Sequence, residues 1–199
     1  MHDITDGPER FRRDVFPARA ELFARLATTH RPRTLFIGCS DARVVPEMIT
    51  QSEPGELFVV RTAGNLVPAH GSGPDGVAAS IEYAVAVLGV RDVVVCGHSG
   101  CGAMTALVEE HDLSAAPVVA GWLRHADAAR ARASAVPVPP GSSELANLVR
   151  ANVAAQVRNL TTHPSIARAL ARRTLALRGW VFDIATGSID TVHPAAAAA

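Results

Sequence analysis

The chain has 199 residues, which is enough for one well-packed domain but too few for two of ordinary size. Its 19 basic and 19 acidic residues balance, so the composition indicates neither a nucleic-acid-binding surface nor attraction to an anionic membrane. The first residues lack the pattern of a secretory signal, and no apolar run is as long as a transmembrane span. An odd number of dispersed cysteines fits a reducing compartment. We therefore expect a cytoplasmic protein with no nucleic-acid or membrane partner.

Three short apolar runs, each bounded by turn residues, are typical of buried β-strands. They cover residues 34–38, 57–61 and 92–96. Helices are predicted between these runs and on either side of them, because capping residues and glycines mark where helices start and stop. The predicted helices begin at Pro17, after Asp75, at about Cys101 and after Ser142 or Ser143, and they end near Ala27, Leu88, Glu110 and Leu160.

The last part of the chain predicts two paired strands, residues 175–183 and 188–192, joined by a turn at Thr186 and Gly187. Strands that alternate with helices predict an α/β fold with a central, mostly parallel β-sheet flanked by helices. We expect one domain over residues 1–199, in which residues 1–30 form an N-terminal helical arm and the alanine-rich residues 194–199 form a disordered tail.

Three residues are candidate ligands of a metal ion. Cys39 and His98 each follow a predicted strand, and side chains at the carboxyl ends of parallel strands meet at one edge of a sheet. Cys101 begins a predicted helix, where the partial positive charge favours a thiolate, and it follows His98 at a spacing common among zinc ligands. Gly102 could expose its backbone N–H to a bound anion. Two thiolates and one imidazole form a catalytic zinc set with one open position.

A carboxylate and an arginine accompany the first cysteine. Arg43 can hold Asp41 in one orientation and keep it ionised, so that Asp41 accepts a proton from a nearby hydroxide. Two other interpretations stay open. The site could be a closed structural one with Cys96 or Asp41 as fourth ligand, or the Asp41–Arg43 pair could be an ordinary surface ion pair.

These motifs resemble the beta-class carbonic anhydrases. The resemblance extends from about Arg31 to Asp190 and is most specific in the first and fourth of the segments that carry it. The segments are CSDARV (39–44), PGELFVVRTAGNLV (54–67), SIEYAV (80–85), GHSGCGAM (97–104) and QVRNL (156–160).

The resemblance implies an enzyme that hydrates CO₂ reversibly to bicarbonate and a proton, by attack of a zinc-bound hydroxide on CO₂. It implies Zn²⁺ on Cys39, His98 and Cys101, and a catalytic Asp41–Arg43 dyad that orients the hydroxide. It also implies a homodimer or homotetramer and a small substrate pocket partly across a subunit boundary. The resemblance places Phe58, Ala63 and Tyr83 in that pocket, to which we add Gly102, although Tyr83 also fits an ordinary core position on a helix.

One departure from the family concerns regulation. Some members have a non-catalytic bicarbonate site made of tryptophan, arginine and tyrosine, and the matching positions here are Phe36, Arg61 and Phe182. Because the indole N–H and the phenol hydroxyl are missing, we expect this inhibitory site to be absent. Two other functions stay open. The same scaffold could hydrolyse carbonyl sulfide or carbon disulfide, or the chain could be a non-catalytic zinc protein that acts as a sensor or partner-binding module.

Overall fold

The structure is a computed structural model that describes residues 3–71, 73 and 75–193. It divides into two compact units, residues 1–31 and residues 32–199, which are described separately. The predicted disordered tail, residues 194–199, lies outside the described residues. The single-domain organisation with an arm over residues 1–30 stays a prediction.

The N-terminal unit consists of short helical segments. Three phenylalanines, Phe11, Phe16 and Phe23, pack against one another with ring centroids 5.6–6.2 Å apart. The helix predicted from Pro17 is a 3₁₀ turn that continues into an α-helix. In chain order the segments are Ile4–Asp6 (3₁₀), α1 (Gly7–Arg10), Phe11–Val15 (π), Phe16–Arg19 (3₁₀) and α2 (Ala20–Leu26).

The second unit is built on a five-stranded sheet with the spatial order β2-β1-β3-β4-β5. The first four strands of that order are mutually parallel, and only β5 is antiparallel to its neighbour β4. This confirms the predicted α/β class. The strands are β1 (Thr34–Cys39), β2 (Leu57–Thr62), β3 (Asp92–His98), β4 (Ala176–Phe182) and β5 (Ile189–Val192).

Strands β1 and β3 are longer than predicted at their carboxyl ends. Cys39 and His98 are the last residues of these strands, and our expectation that they follow the strands was wrong by one or two residues. The backbone at both positions is therefore fixed by the sheet rather than by a loop, which restricts where the side chains can point.

Helices connect the strands. Asp75 caps α4 by accepting hydrogen bonds from the backbone N–H groups of Val77 and Ala78, both at 2.8 Å, and Ser143 caps α8. A π-helical turn, Tyr83–Val87, extends α4. No helix among the described residues is long and apolar enough to span a membrane. The helices are α3 (Pro46–Thr50), α4 (Gly76–Glu82), α5 (Gly102–Val108), α6 (Pro117–Leu123), α7 (Asp127–Ser134), α8 (Glu144–Leu160) and α9 (Pro164–Ala171).

The larger core cluster lies between one face of the sheet and helices α4, α8 and α9, and a smaller one covers the other face. Helix α8 approaches the sheet closely because two strand positions are glycine. A Cβ atom at Gly97 would lie 2.8 Å from a methyl carbon of Val153, and one at Gly179 would lie 2.9 Å from the other methyl carbon. This close packing fixes the backbone of β3 immediately before His98.

Candidate metal centre

Three candidate ligands meet at the carboxyl edge of the sheet. Cys39 ends β1, His98 ends β3, and Cys101 is the N-cap residue of α5. Each side chain offers one donor atom, and the three donor atoms lie within 4.8 Å of one another. All three residues are buried, so the group is a compact, water-shielded set of two sulfurs and one nitrogen.

The histidine presents a free lone pair to this group. The ring Nδ1 of His98 lies 3.0 Å from the carbonyl oxygen of Ser99. Because a carbonyl only accepts hydrogen bonds, Nδ1 carries the proton and the neutral ring has its lone pair on Nε2. That Nε2 is buried and has no hydrogen-bond partner among the described residues. A buried acceptor without a partner is costly, and a metal ion beside the two sulfurs would satisfy it.

The two thiols influence each other strongly. The pKa of Cys39 is lowered, chiefly by its interaction with the Cys101 thiol and further by the nearby backbone N–H groups of Asp41 and Gly64. The pKa of Cys101 is raised, chiefly by that same interaction with Cys39. Two sulfurs and one imidazole nitrogen within 4.8 Å of one another are a donor set that Zn²⁺ takes, so the residues fit Zn²⁺.

Asp41 is held in place by Arg43 through three contacts. Its Oδ1 accepts hydrogen bonds from the backbone N–H and the Nε of Arg43, both at 2.9 Å, and its Oδ2 accepts one from Nη2 at 2.7 Å. These bonds lower the pKa of Asp41 well below the ordinary carboxyl value, so the group is ionised at neutral pH. Its Oδ2 lies 3.8 Å from Nε2 of His98, which places the carboxylate at the edge of the ligand group.

Two arginines fix the loop that carries Asp41. Nη2 of Arg43 also donates to the carbonyl oxygen of Gly100 at 3.0 Å, which links this loop to the turn between His98 and Cys101. Arg61 donates from Nε to the carbonyl of Cys39 at 3.0 Å and from Nη2 to the carbonyls of Asp41 and Val44. Neither set of backbone acceptors could be read from the sequence, because a carbonyl is present at every position.

Cys96 lies within β3, two residues before His98. Its side chain is fully buried in the cluster with Phe36, Val94 and Phe182, and its thiol donates to the carbonyl of Gly97 at 3.4 Å. Burial raises its pKa to about 12, so it stays protonated. Neither Cys96 nor Asp41 belongs to the ligand group found among the described residues. Among the residues that the structure describes, the ligand group therefore has three members.

The remaining candidate residues are not all brought to the ligand group, since Phe58 pairs with Leu35, four residues before Cys39 on β1. The rings of Phe58 on β2 and Tyr83 on the π-helical turn lie 5.9 Å apart, and Tyr83 is 44% exposed, so it is not the core residue that its helix position also allowed. Ala63 begins a 3₁₀ turn, Ala63–Asn65, directly after β2. Gly102 is the first residue of α5 and is exposed, with open space where a Cβ would lie.

Fold and ligand set together describe an α/β protein with a group of side chains that could hold a metal ion, and comparisons with known proteins identify its family. The sequence model of the carbonic anhydrase family matches residues 34–189. A carbonic anhydrase of Pseudomonas aeruginosa is 58% identical over 195 residues, which cover 98% of this chain and 89% of that protein.

Solved structures agree with the sequence comparison. The beta-carbonic anhydrase CcaA superposes with a TM-score of 0.87 at 38% identity, over 96% of this chain and 98% of that one. A tetrameric beta-carbonic anhydrase from Sordaria macrospora superposes with a TM-score of 0.78 at 31% identity, over 89% of this chain and 88% of that one. The chain belongs to the beta class of the carbonic anhydrase family and is an enzyme of that family.

Proposed function

We propose that this protein is a zinc enzyme that hydrates CO₂ reversibly to bicarbonate and a proton. The observation that carries the proposal is the buried group of Cys39, His98 and Cys101, in which His98 Nε2 is left without a partner and an ionised Asp41 lies alongside. Membership of the carbonic anhydrase family supports the same reaction.

The sulfurs of Cys39 and Cys101 and the Nε2 of His98 would hold the zinc ion. Zinc in such a site lowers the pKa of water and so supplies hydroxide near neutral pH. The three residues lie on elements that the sheet and α8 fix, so the donor atoms are arranged before the metal binds. A site arranged in advance loses little conformational entropy when it is occupied.

Asp41 would act as a hydrogen-bond acceptor that orients the nucleophile. Its Oδ1 is used by Arg43, whereas its Oδ2 accepts one bond from Arg43 and faces His98 with acceptor capacity to spare. An O–H group that donates to Oδ2 has its lone pair directed away from Asp41, towards an incoming CO₂. Arg43 would keep the carboxylate ionised and prevent it from rotating.

Phe58, Ala63, Tyr83 and Gly102 would form the substrate pocket, with part of its wall supplied by a second copy of the chain. Tyr83 and the nearby Val87 are 44% and 66% exposed, and β2 is the outermost strand of the described sheet. Apolar side chains beside an edge strand favour burial against another subunit. We propose a homodimer or a homotetramer, which sedimentation analysis would distinguish.

The test combines zinc analysis with stopped-flow CO₂ hydration. We expect Cys101→Ser to lose zinc, because a hydroxyl is a poor replacement for a thiolate. Asp41→Asn should keep zinc and lose most turnover, because the amide cannot accept at the position where its N–H₂ group lies. Carbonyl sulfide and carbon disulfide assayed in parallel would show whether CO₂ is the preferred substrate.

Asp92→Asn is a matched control for Asp41→Asn. Asp92 also bonds to an arginine, Arg178, and its side chain is 19% exposed, compared with 17% for Asp41. It begins β3, at the opposite end of the strand from His98. The control should keep both zinc and turnover. Full activity of Asp41→Asn would remove Asp41 from the mechanism, and full zinc content of Cys101→Ser would remove Cys101 from the ligand set.

A further inference from the structure

The 3₁₀ turn Ala63–Asn65 contacts the chain next to every candidate ligand. It follows Thr62, which pairs with Cys39 across β2 and β1. Gly64 packs against α5 so closely that a Cβ there would lie 3.0 Å from the Cβ of Ala103, two residues after Cys101. Gly64 also has a φ of 72°, which only glycine adopts at little cost. The position of this turn therefore affects the spacing between the two sulfurs.

The same turn reaches the third ligand. The side-chain oxygen of Asn65 lies against Gly97, where a Cβ would be only 3.5 Å away, and Gly97 immediately precedes His98. Asn65 is buried and has a φ of 49°, an uncommon conformation for a residue with a side chain. A strained turn in contact with three ligand-bearing elements needs support from outside the site.

That support comes from two helices through hydrogen bonds to consecutive carbonyls. The indole Nε1–H of Trp122, on α6, donates to the carbonyl oxygen of Ala63 at 2.9 Å. The side-chain amide of Asn152, on α8, donates to the carbonyl oxygen of Gly64 at 3.0 Å. Asn152 is itself held by Gln156, whose Nε2 donates to its Oδ1 at 2.8 Å.

Trp122 acts on a peptide group of the turn that packs beside the ligand-bearing elements. The carbonyl of Ala63 and the N–H of Gly64 belong to one planar peptide group. The carbonyl accepts from Trp122, and the other side of the same peptide belongs to Gly64, which packs against Ala103 of α5. The indole therefore fixes the plane of the peptide, and the plane determines where its N–H points.

We propose that Trp122 is a positioning residue of the metal centre, which holds the Ala63–Gly64 peptide and with it the turn that packs beside all three ligand-bearing elements. The proposal rests on the proposed zinc site. Partners of metal ligands in this position typically change metal affinity 10- to 100-fold when they are removed. Because Trp122 acts through one peptide group and does not touch the metal, we expect the lower end of that range.

Trp122→Phe tests the proposal, since phenylalanine keeps a flat ring against His125 but has no N–H to donate. The ring centroids of Trp122 and His125 lie 5.1 Å apart, so most of the packing survives. The matched control is Trp180→Phe, which changes the chain's other tryptophan, on β4 in the cluster of the opposite face. Circular dichroism checks that both variants fold.

The first readout is zinc affinity, measured by competition with a chromophoric chelator, together with the absorption spectrum of the Co²⁺-substituted protein. We expect Trp122→Phe to bind zinc about tenfold more weakly and to shift the thiolate-to-cobalt band, and Trp180→Phe to match wild type. Equal affinity and an identical cobalt spectrum in Trp122→Phe would overturn the proposal. If the wild-type protein does not bind zinc, the proposed function fails. If only Trp122→Phe behaves like wild type, the role of Trp122 fails and the proposed function stands.

The second readout needs no metal. Hydrogen–deuterium exchange of the metal-free protein reports the protection of the Gly64 amide. We expect the peptide that contains Gly64 to exchange faster in Trp122→Phe and at the wild-type rate in Trp180→Phe, because only the first substitution frees the Ala63–Gly64 peptide group. Unchanged exchange in Trp122→Phe would contradict a positioning role even if zinc affinity fell.

Discussion

Replacing Gln156 with methionine should destabilise the protein strongly although the shape of the side chain is nearly conserved. Gln156 is fully buried, and both the oxygen and the nitrogen of its side-chain amide form hydrogen bonds. Its Oε1 accepts from the backbone N–H of Val67 at 2.9 Å and from Asn159, and its Nε2 donates to Asn152 at 2.8 Å and to the carbonyl of His125. Methionine makes none of these bonds.

The magnitude follows from the groups that would lose their partners. The Val67 N–H and the Oδ1 of Asn152 would both remain buried without a hydrogen bond, at a cost of about 1–3 kcal/mol each. Asn159 keeps its bond to the carbonyl of Val67, so it adds little. Together with about 1 kcal/mol for imperfect repacking, the free energy of unfolding should fall by about 3–7 kcal/mol.

Urea unfolding followed by circular dichroism measures this change, at one protein and zinc concentration for all variants. With a slope of about 1–3 kcal/mol per molar urea, the midpoint should fall by at least about 1 M. Gln51→Met is the control, because Gln51 is exposed and donates only to the carbonyl of Met48. A Gln156→Met midpoint equal to that of the control would refute the idea that the amide bonds of α8 stabilise the segment after β2.

Three further predictions concern the site. The rate of CO₂ hydration should rise from neutral to mildly alkaline pH, because two thiolates raise the pKa of zinc-held water above the ~7 of three-histidine sites. Asp41 should not contribute to this profile, because Arg43 keeps the pKa of that carboxylate too low for it to titrate in this range. A flat or falling stopped-flow profile would contradict this. Bicarbonate should inhibit without cooperativity, because Phe36 and Phe182 offer no donors; steady-state kinetics that show cooperative inhibition would refute it. Cys96→Ala should retain full zinc content in metal analysis, because its thiol, with a pKa of about 12, is buried beside Phe36 and Phe182 and lies outside the ligand group; loss of zinc would place this thiol in the site.

Much of the fold could be predicted because buried parallel strands leave a clear signal. Runs such as Asp92–His98 are apolar, short and bounded by turn residues, so each strand was located to within one or two residues. Helices α3, α6, α7 and α9 were not predicted. Helix α3 has only five residues, and α7 (Asp127–Ser134) is mostly alanine and arginine without a clear apolar stripe.

The candidate site could also be predicted only in part from the sequence. The meeting of Cys39, His98 and Cys101 could be predicted, because residues at the carboxyl ends of parallel strands converge on one edge. The contributions of Trp122 and Gln156 could not. Both bond to backbone groups, at separations of 59 and 89 residues along the chain, and no side-chain pattern marks a backbone partner. Only the fold brings such groups together.

The coordination of zinc in the purified protein tests the central claim most directly. X-ray absorption at the zinc edge should show two sulfurs at about 2.3 Å, one imidazole nitrogen at about 2.0–2.1 Å and one further light atom. That result would match ligation by Cys39, Cys101 and His98 with one position left for chemistry. A third sulfur in the coordination shell, or protein purified in the presence of zinc that contains none, would contradict the account.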